Sequence, residues 1–154
     1  MPLRSFLSPE AVASAVKAKN KKQALHEISA LAGRIIGRNA HDIFEPLLQR
    51  ERLGSTGIGD GIAIPHCKLA RLDRLFGFLG RLEKPIAFDA LDGEPVDILF
   101  LLLAPEGAGA DHLKALARIA RVLREPGLID RLRTARDADA LYAVLIEAST
   151  RKAA

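Results

Sequence analysis

The chain has 154 residues, about half of them hydrophobic (49%), and a formal net charge of +4. That length buries roughly two thirds of the unfolded surface around one core, so one domain over residues 1–148 is expected, followed by a disordered tail over 149–154. The longest apolar run, Ile98 to Pro105, is far short of the ~20 residues of a membrane span, Met1–Arg4 lacks an apolar signal segment, and a lone cysteine, Cys67, forms no internal disulfide.

These features exclude an integral membrane protein and point to a cytoplasmic one. Six Phe, one Tyr and no Trp, none interleaved with a basic stripe, argue against nucleic-acid binding. The scattered basic residues leave only a mild preference for an acidic partner.

Val12–Val16 alternates weakly and predicts a short strand. Asn20 then caps a helix carrying Ala24, Leu25, Ile28, Leu31, Ala32 and Ile35 at helical spacing, with Gly37 as its C-terminal cap. A second helix runs from Asn39 to about Leu53, and Pro46 inside it predicts a kink or a late start. Ile62-Ala63-Ile64 reads as a short buried strand ended by Pro65-His66, which would leave His66 projecting from the sheet rim. Leu75–Leu82 reads as another strand, weakened by Gly77 and Gly80.

Val96–Leu103 is almost continuously aliphatic, the pattern of a central strand covered on both faces. Asp111 is the expected cap of a helix with Leu113, Leu116, Ala117, Ala120 and Leu123 on its apolar side, ended by Pro126-Gly127. A short helix near Leu128–Ala135 and a last one capped by Asp137 complete the chain. The fold class is therefore α/β, a sheet sandwiched between helices.

The segment GSTGIGDGIAIPHCK, residues 54–68, puts four glycines in eight positions. Glycine at such density marks positive φ or a close backbone approach, and the candidate approached is a phosphate. A nucleotide P-loop fails because Asp60 and Gly61 stand where lysine and a hydroxyl residue belong. The dinucleotide fingerprint fails at Ile62. What remains is a glycine loop feeding a histidine whose neutral imidazole is a competent nucleophile.

The run from Gly54 to His66, with Arg50-Glu51 before it and Ile86–Asp89, Pro95–Asp97 and His112-Leu113 after it, resembles enzyme IIA of the bacterial phosphoenolpyruvate phosphotransferase system. It is most similar to the nitrogen-regulatory branch of the mannitol/fructose-type family, and the likeness covers nearly the whole chain. The resemblance implies the mannitol-type IIA fold, a mixed sheet between helices. It also implies a phosphoryl group accepted on His66 from an HPr-like phosphocarrier, Arg50 and His112 as assisting catalytic residues, and no cofactor.

Two functions fit the family. One is regulation of nitrogen- or potassium-linked targets such as a transporter, a kinase or a metabolic enzyme. The other is sugar uptake through a IIB component. The absence of attached IIB and IIC parts and the Gly-Ser-Thr-Gly-Ile-Gly start favour regulation.

Each residue also has a plainer reading. Ser55 and Thr56 either donate to phosphoryl oxygens or cap the turn, Arg50 could be a solvated helix-end arginine, and His112 a structural one. Asp60 reads as a turn residue, His26 and His41 as surface residues. A zinc site of His66, Cys67, His112 and Asp111 has poor chelate spacing, so no metal is expected. Cys67 and Asp60 depart from the family's usual residues.

Overall fold

The computed structural model describes residues 1–153. A six-stranded mixed sheet carries helices made from both halves of the chain. The strands are β1 (Val12–Val16), β2 (Gly57–Gly59), β3 (Ile62–Ala63), β4 (His66–Leu69), β5 (Phe76–Ile86) and β6 (Val96–Pro105). The helices are α1 (Lys21–Ile36), α2 (Ala40–Arg52), α3 (Ala110–Leu123), α4 (Leu128–Thr134) and α5 (Ala138–Ala153).

β6 is the axis of the sheet. Antiparallel β5 flanks one side, and β3 and β4 both pair parallel to β6 on the other. β1 extends the sheet beyond β5, and β2 beyond β3. Every residue from Ile98 to Ala104 is buried, which requires cover on both faces. α1 packs on α2 and against β1 and β5, whereas α3 lies on β6 and α5 on β1.

The expected helix signals hold for α1: Asn20 accepts from the Gln23 N–H, and Gly37 closes the helix at φ 76°. Asn39 caps α2 in the same way, and α2 runs through Pro46 without interruption. Of the two glycines of β5, Gly77 has a packing reason. A Cβ on Gly77 would meet the Phe100 ring at 2.9 Å, whereas one on Gly80 would make only ordinary contact with Val16 and Ile28 (3.4 and 3.5 Å).

Four expectations change. The chain does not leave the sheet at Pro65-His66: Pro65 lacks an N–H, but its carbonyl accepts from Leu102 (2.9 Å), and β4 resumes the pairing with β6 at His66. Asp111 is not the cap of α3; Gly109 holds that position, and Asp111 lies in the first turn. The buried face of α3 is His112, Ala115, Ile119, Val122 and Leu123; of the expected side Leu123 is buried, Leu116 and Ala120 are half-buried, and Leu113 is 69% exposed. The period was read correctly, but a stripe that begins with histidine is hidden among leucines. The tail expected to be loose from 149 is helical through Ala153, with Ser149 buried and Arg151 paired to Glu125 and Glu147.

The glycine segment makes its close approaches to protein. A Cβ on Gly57 would lie 2.8 Å from the Ala90 Cβ. Gly61, at φ 82°, leaves room for the Arg133 guanidinium, which reaches from α4 to a bidentate pair with Asp97 (2.8 and 3.1 Å). Gly61→Ala puts a side chain in the left-handed region and displaces that guanidinium. We expect a loss of about 2 kcal/mol in urea unfolding, the sum of backbone strain and a half-exposed ion pair.

Candidate functional site

Pro65 biases Ile64 to an extended conformation, and the Ile64 carbonyl then lies 2.8 Å from His66 Nδ1. A carbonyl oxygen only accepts, so Nδ1 carries the ring proton and Nε2 keeps its lone pair. Burial holds the His66 pKa below the ordinary histidine value, and the Arg50 charge acts in the same direction. The Ile64 bond and the Glu51 charge oppose them. The half-buried ring is therefore neutral at neutral pH and nucleophilic at Nε2.

His112, in the first turn of α3, sets its ring edge-to-face with His66, the centroids 5.6 Å apart and the planes at 69°. The residue is buried, and its Nε2 has no hydrogen-bond partner among the described residues. A buried ring nitrogen left this way costs about 1–3 kcal/mol, which a group entering between the two imidazoles would recover. Burial, then His66, then Lys68 push the His112 pKa down. Arg50, in the last turn of α2, donates from Nη1 to the Gly54 carbonyl (2.9 Å) while its charge acts on His66. The three principal expected residues thus converge at one end of β4.

Both histidines have lower pKa values folded than unfolded. Between those values the unfolded chain binds more protons, so stability rises with pH and levels off above the unfolded pKa. We expect the urea midpoint to climb as pH rises toward the unfolded histidine pKa of about 6.5 and to level off above it, and His66→Gln/His112→Gln to flatten that climb.

A family model for "Phosphoenolpyruvate-dependent sugar phosphotransferase system, EIIA 2" matches residues 5–148. The chain belongs to this EIIA family. It is 56% identical over 94% of its length, and 95% of the relative's, to a nitrogen regulatory protein of Bradyrhizobium diazoefficiens. The crystal structure of nitrogen regulatory protein IIA-Ntr from Neisseria meningitidis superposes with a TM-score of 0.86 at 34% identity, covering 93% of this chain and 98% of that one. IIA mannitol from Escherichia coli shares the fold at a TM-score of 0.75 and 17% identity, over 90% and 97% of the two chains. The mixed α/β sandwich is thus the mannitol-type IIA fold.

In this EIIA chain the glycine loop is fastened to its own surroundings. Ser55 Oγ donates to the Phe88 carbonyl (2.8 Å) and accepts from the Gly57 N–H (3.0 Å). Thr56 is buried; its hydroxyl donates to the Glu51 carboxylate, and its N–H lies 3.1 and 3.2 Å from the two Glu51 oxygens. The Asp60 N–H goes to Asp92 (2.9 Å), with Asp60 in the left-handed turn expected of it. Both hydroxyl protons and several loop N–H groups are therefore directed into the protein. The glycines shape a fastened hairpin, and the close approaches of Gly57 and Gly61 among the described residues are to protein.

Sequence reasoning missed the pair that anchors this hairpin. Glu51 is buried and meets Lys21 Nζ at 2.6 Å; Lys21 also reaches Asp89 and lies over the Phe88 ring, 4.8 Å from its centroid. One signal was available: Lys21 opens α1, where the helix dipole disfavours a cation, so its partner had to lie outside that helix. Burial pushes the Cys67 thiol up to about 12, leaving it a packing residue beside the nucleophile. His26 and His41 lie on the surface.

Proposed function

We propose that this protein is a cytoplasmic phosphocarrier that takes a phosphoryl group on His66 Nε2 from an HPr-like protein and regulates nitrogen-linked targets by its phosphorylation state. The observation that carries the reading is the Nδ1–H bond from His66 to the Ile64 carbonyl, which assigns the lone pair to Nε2 and stands beside the unpartnered His112 Nε2. The identity with a nitrogen regulatory protein over nearly the whole chain supports the regulatory branch.

In the transfer, the P–N bond of the donor phosphohistidine breaks as a P–N bond forms at His66 Nε2. The donor imidazole keeps the electron pair of the broken bond. His66 retains its Nδ1 proton, and the positive charge it gains strengthens the bond to the Ile64 carbonyl. The loose transition state spreads charge over the equatorial oxygens, which His112 meets with an N–H and Arg50 with its remaining guanidinium donors. Ser55 and Thr56 contribute by holding the loop in place. The added charge of roughly −1.5 to −2 at neutral pH then changes what the surface can bind.

Intact mass after incubation with phosphoenolpyruvate, enzyme I and the phosphocarrier tests this. One added phosphate, acid-labile and base-stable, is the expected result; no mass change refutes acceptance. Rapid onward transfer to a IIB protein would replace regulation with sugar uptake.

A further inference from the structure

An arginine-rimmed trough runs from the first turn of the chain to the first turn of α3. Its main hollow, of about 600 Å³, is floored by Ile35, Ile36, Leu72, Leu75 and Phe76 and walled by Arg4, Arg38, Arg71 and Arg74. Ile35 is 36% exposed. Only Glu10 and Asp73 oppose the four arginines in the lining, and Asp73 approaches Arg74 no closer than 3.9 Å with both side chains more than 80% exposed. Among the described residues, Arg4, Arg38 and Arg71 have no carboxylate within ion-pair distance.

Two further observations show a shaped surface. Arg38 donates to the Ala70 carbonyl (2.7 Å), tying the loop before β5 to the turn after α1. Arg71 in that loop sits at φ 61°, a left-handed position costly for a residue with a side chain. A second hollow of about 280 Å³ shares Ser5, Phe6, Asp73, Arg74 and Leu75 with the first and extends to Asp111, the neighbour of His112. The combined trough is open and cationic over an apolar floor, and it ends at the first turn of α3.

We infer that this trough docks an extended, acidic, leucine-bearing segment of a target protein. Carboxylates on the segment pair with arginine forks on the rim, and its aliphatic side chains cover the floor. An elongated open trough suits a peptide better than a compact small molecule, which is ordinarily enclosed over most of its surface. The docking step is independent of phosphoryl chemistry. The inference rests on the proposed function only in taking the occupant to be a regulated target.

The test is fluorescence anisotropy with a fluorescein-labelled peptide of alternating leucine and glutamate, compared with leucine–lysine and all-glutamate peptides. Saturable binding of the leucine–glutamate peptide alone is expected, weakened by salt and about tenfold weaker for Arg4→Glu/Arg74→Glu. Both substituted residues are exposed and outside the transfer site, so phosphate uptake by mass and the circular dichroism spectrum should be unchanged. Failure of phosphate uptake in the unsubstituted protein would sink the proposed function and leave this docking result standing. No binding, equal binding of the all-glutamate peptide, or undiminished binding by the double variant would overturn the inference.

Discussion

His66→Ala is expected to take up no phosphoryl group under conditions that fully phosphorylate the unsubstituted protein, as read by intact mass. The acceptor nitrogen is gone, and no other imidazole can take its place: His26 and His41 are on the surface away from Arg50, and His112 is buried. His112→Ala is expected to behave differently. It keeps the nucleophile but removes a donor to the developing charge, so the protein still charges fully while the rate falls about 100-fold. The reverse pattern, with His112→Ala inert and His66→Ala active, would assign the acceptor to the wrong ring.

Glu51→Ala is expected to cost about 3 kcal/mol in urea unfolding, because it leaves Lys21 only the longer contact to exposed Asp89 and leaves the Thr56 hydroxyl and N–H without an acceptor. The damage extends beyond stability. Glu51 ties α1, through Lys21, to the loop that leads into His66, so phosphoryl uptake should slow as well. Replacing both partners, Lys21→Met with Glu51→Gln, removes the cation together with its principal partner and should cost less than Glu51→Ala alone. A double variant as unstable as the sum of the two single ones would show that the pair is uncoupled.

The elements that the sequence announces are those with a local cause. Asn20, Asn39 and Asp137 each accept the expected N–H, Gly37 is left-handed, and the aliphatic run of β6 is the central strand. The elements it conceals depend on distant partners. β2 and β4 are three and four residues long and exist because β3 and β6 offer edges to pair with, which no local pattern states. Likewise the glycines at 57 and 61 are legible as close approaches, but their partners, Ala90 and Arg133, lie 33 and 72 residues further along the chain.

For the site, the motif ending in Pro-His located the imidazole, and the likeness to a known family supplied Arg50 and His112. The Lys21–Glu51 pair escaped because its two charges stand 30 residues apart on separate helices. The sequence leaves Ser55 and Thr56 open between two roles, and their bonds to Phe88 and Glu51 favour the one that shapes the loop.

The double attachment of the histidine segment to β6, before and after Pro65, gives this protein little freedom to announce its state by changing shape. Neither flank of the modified ring can peel away without unpicking the innermost seam of the molecule. On the proposed function, a listener must therefore come to the imidazole and sense the charge there, so that the message travels by contact.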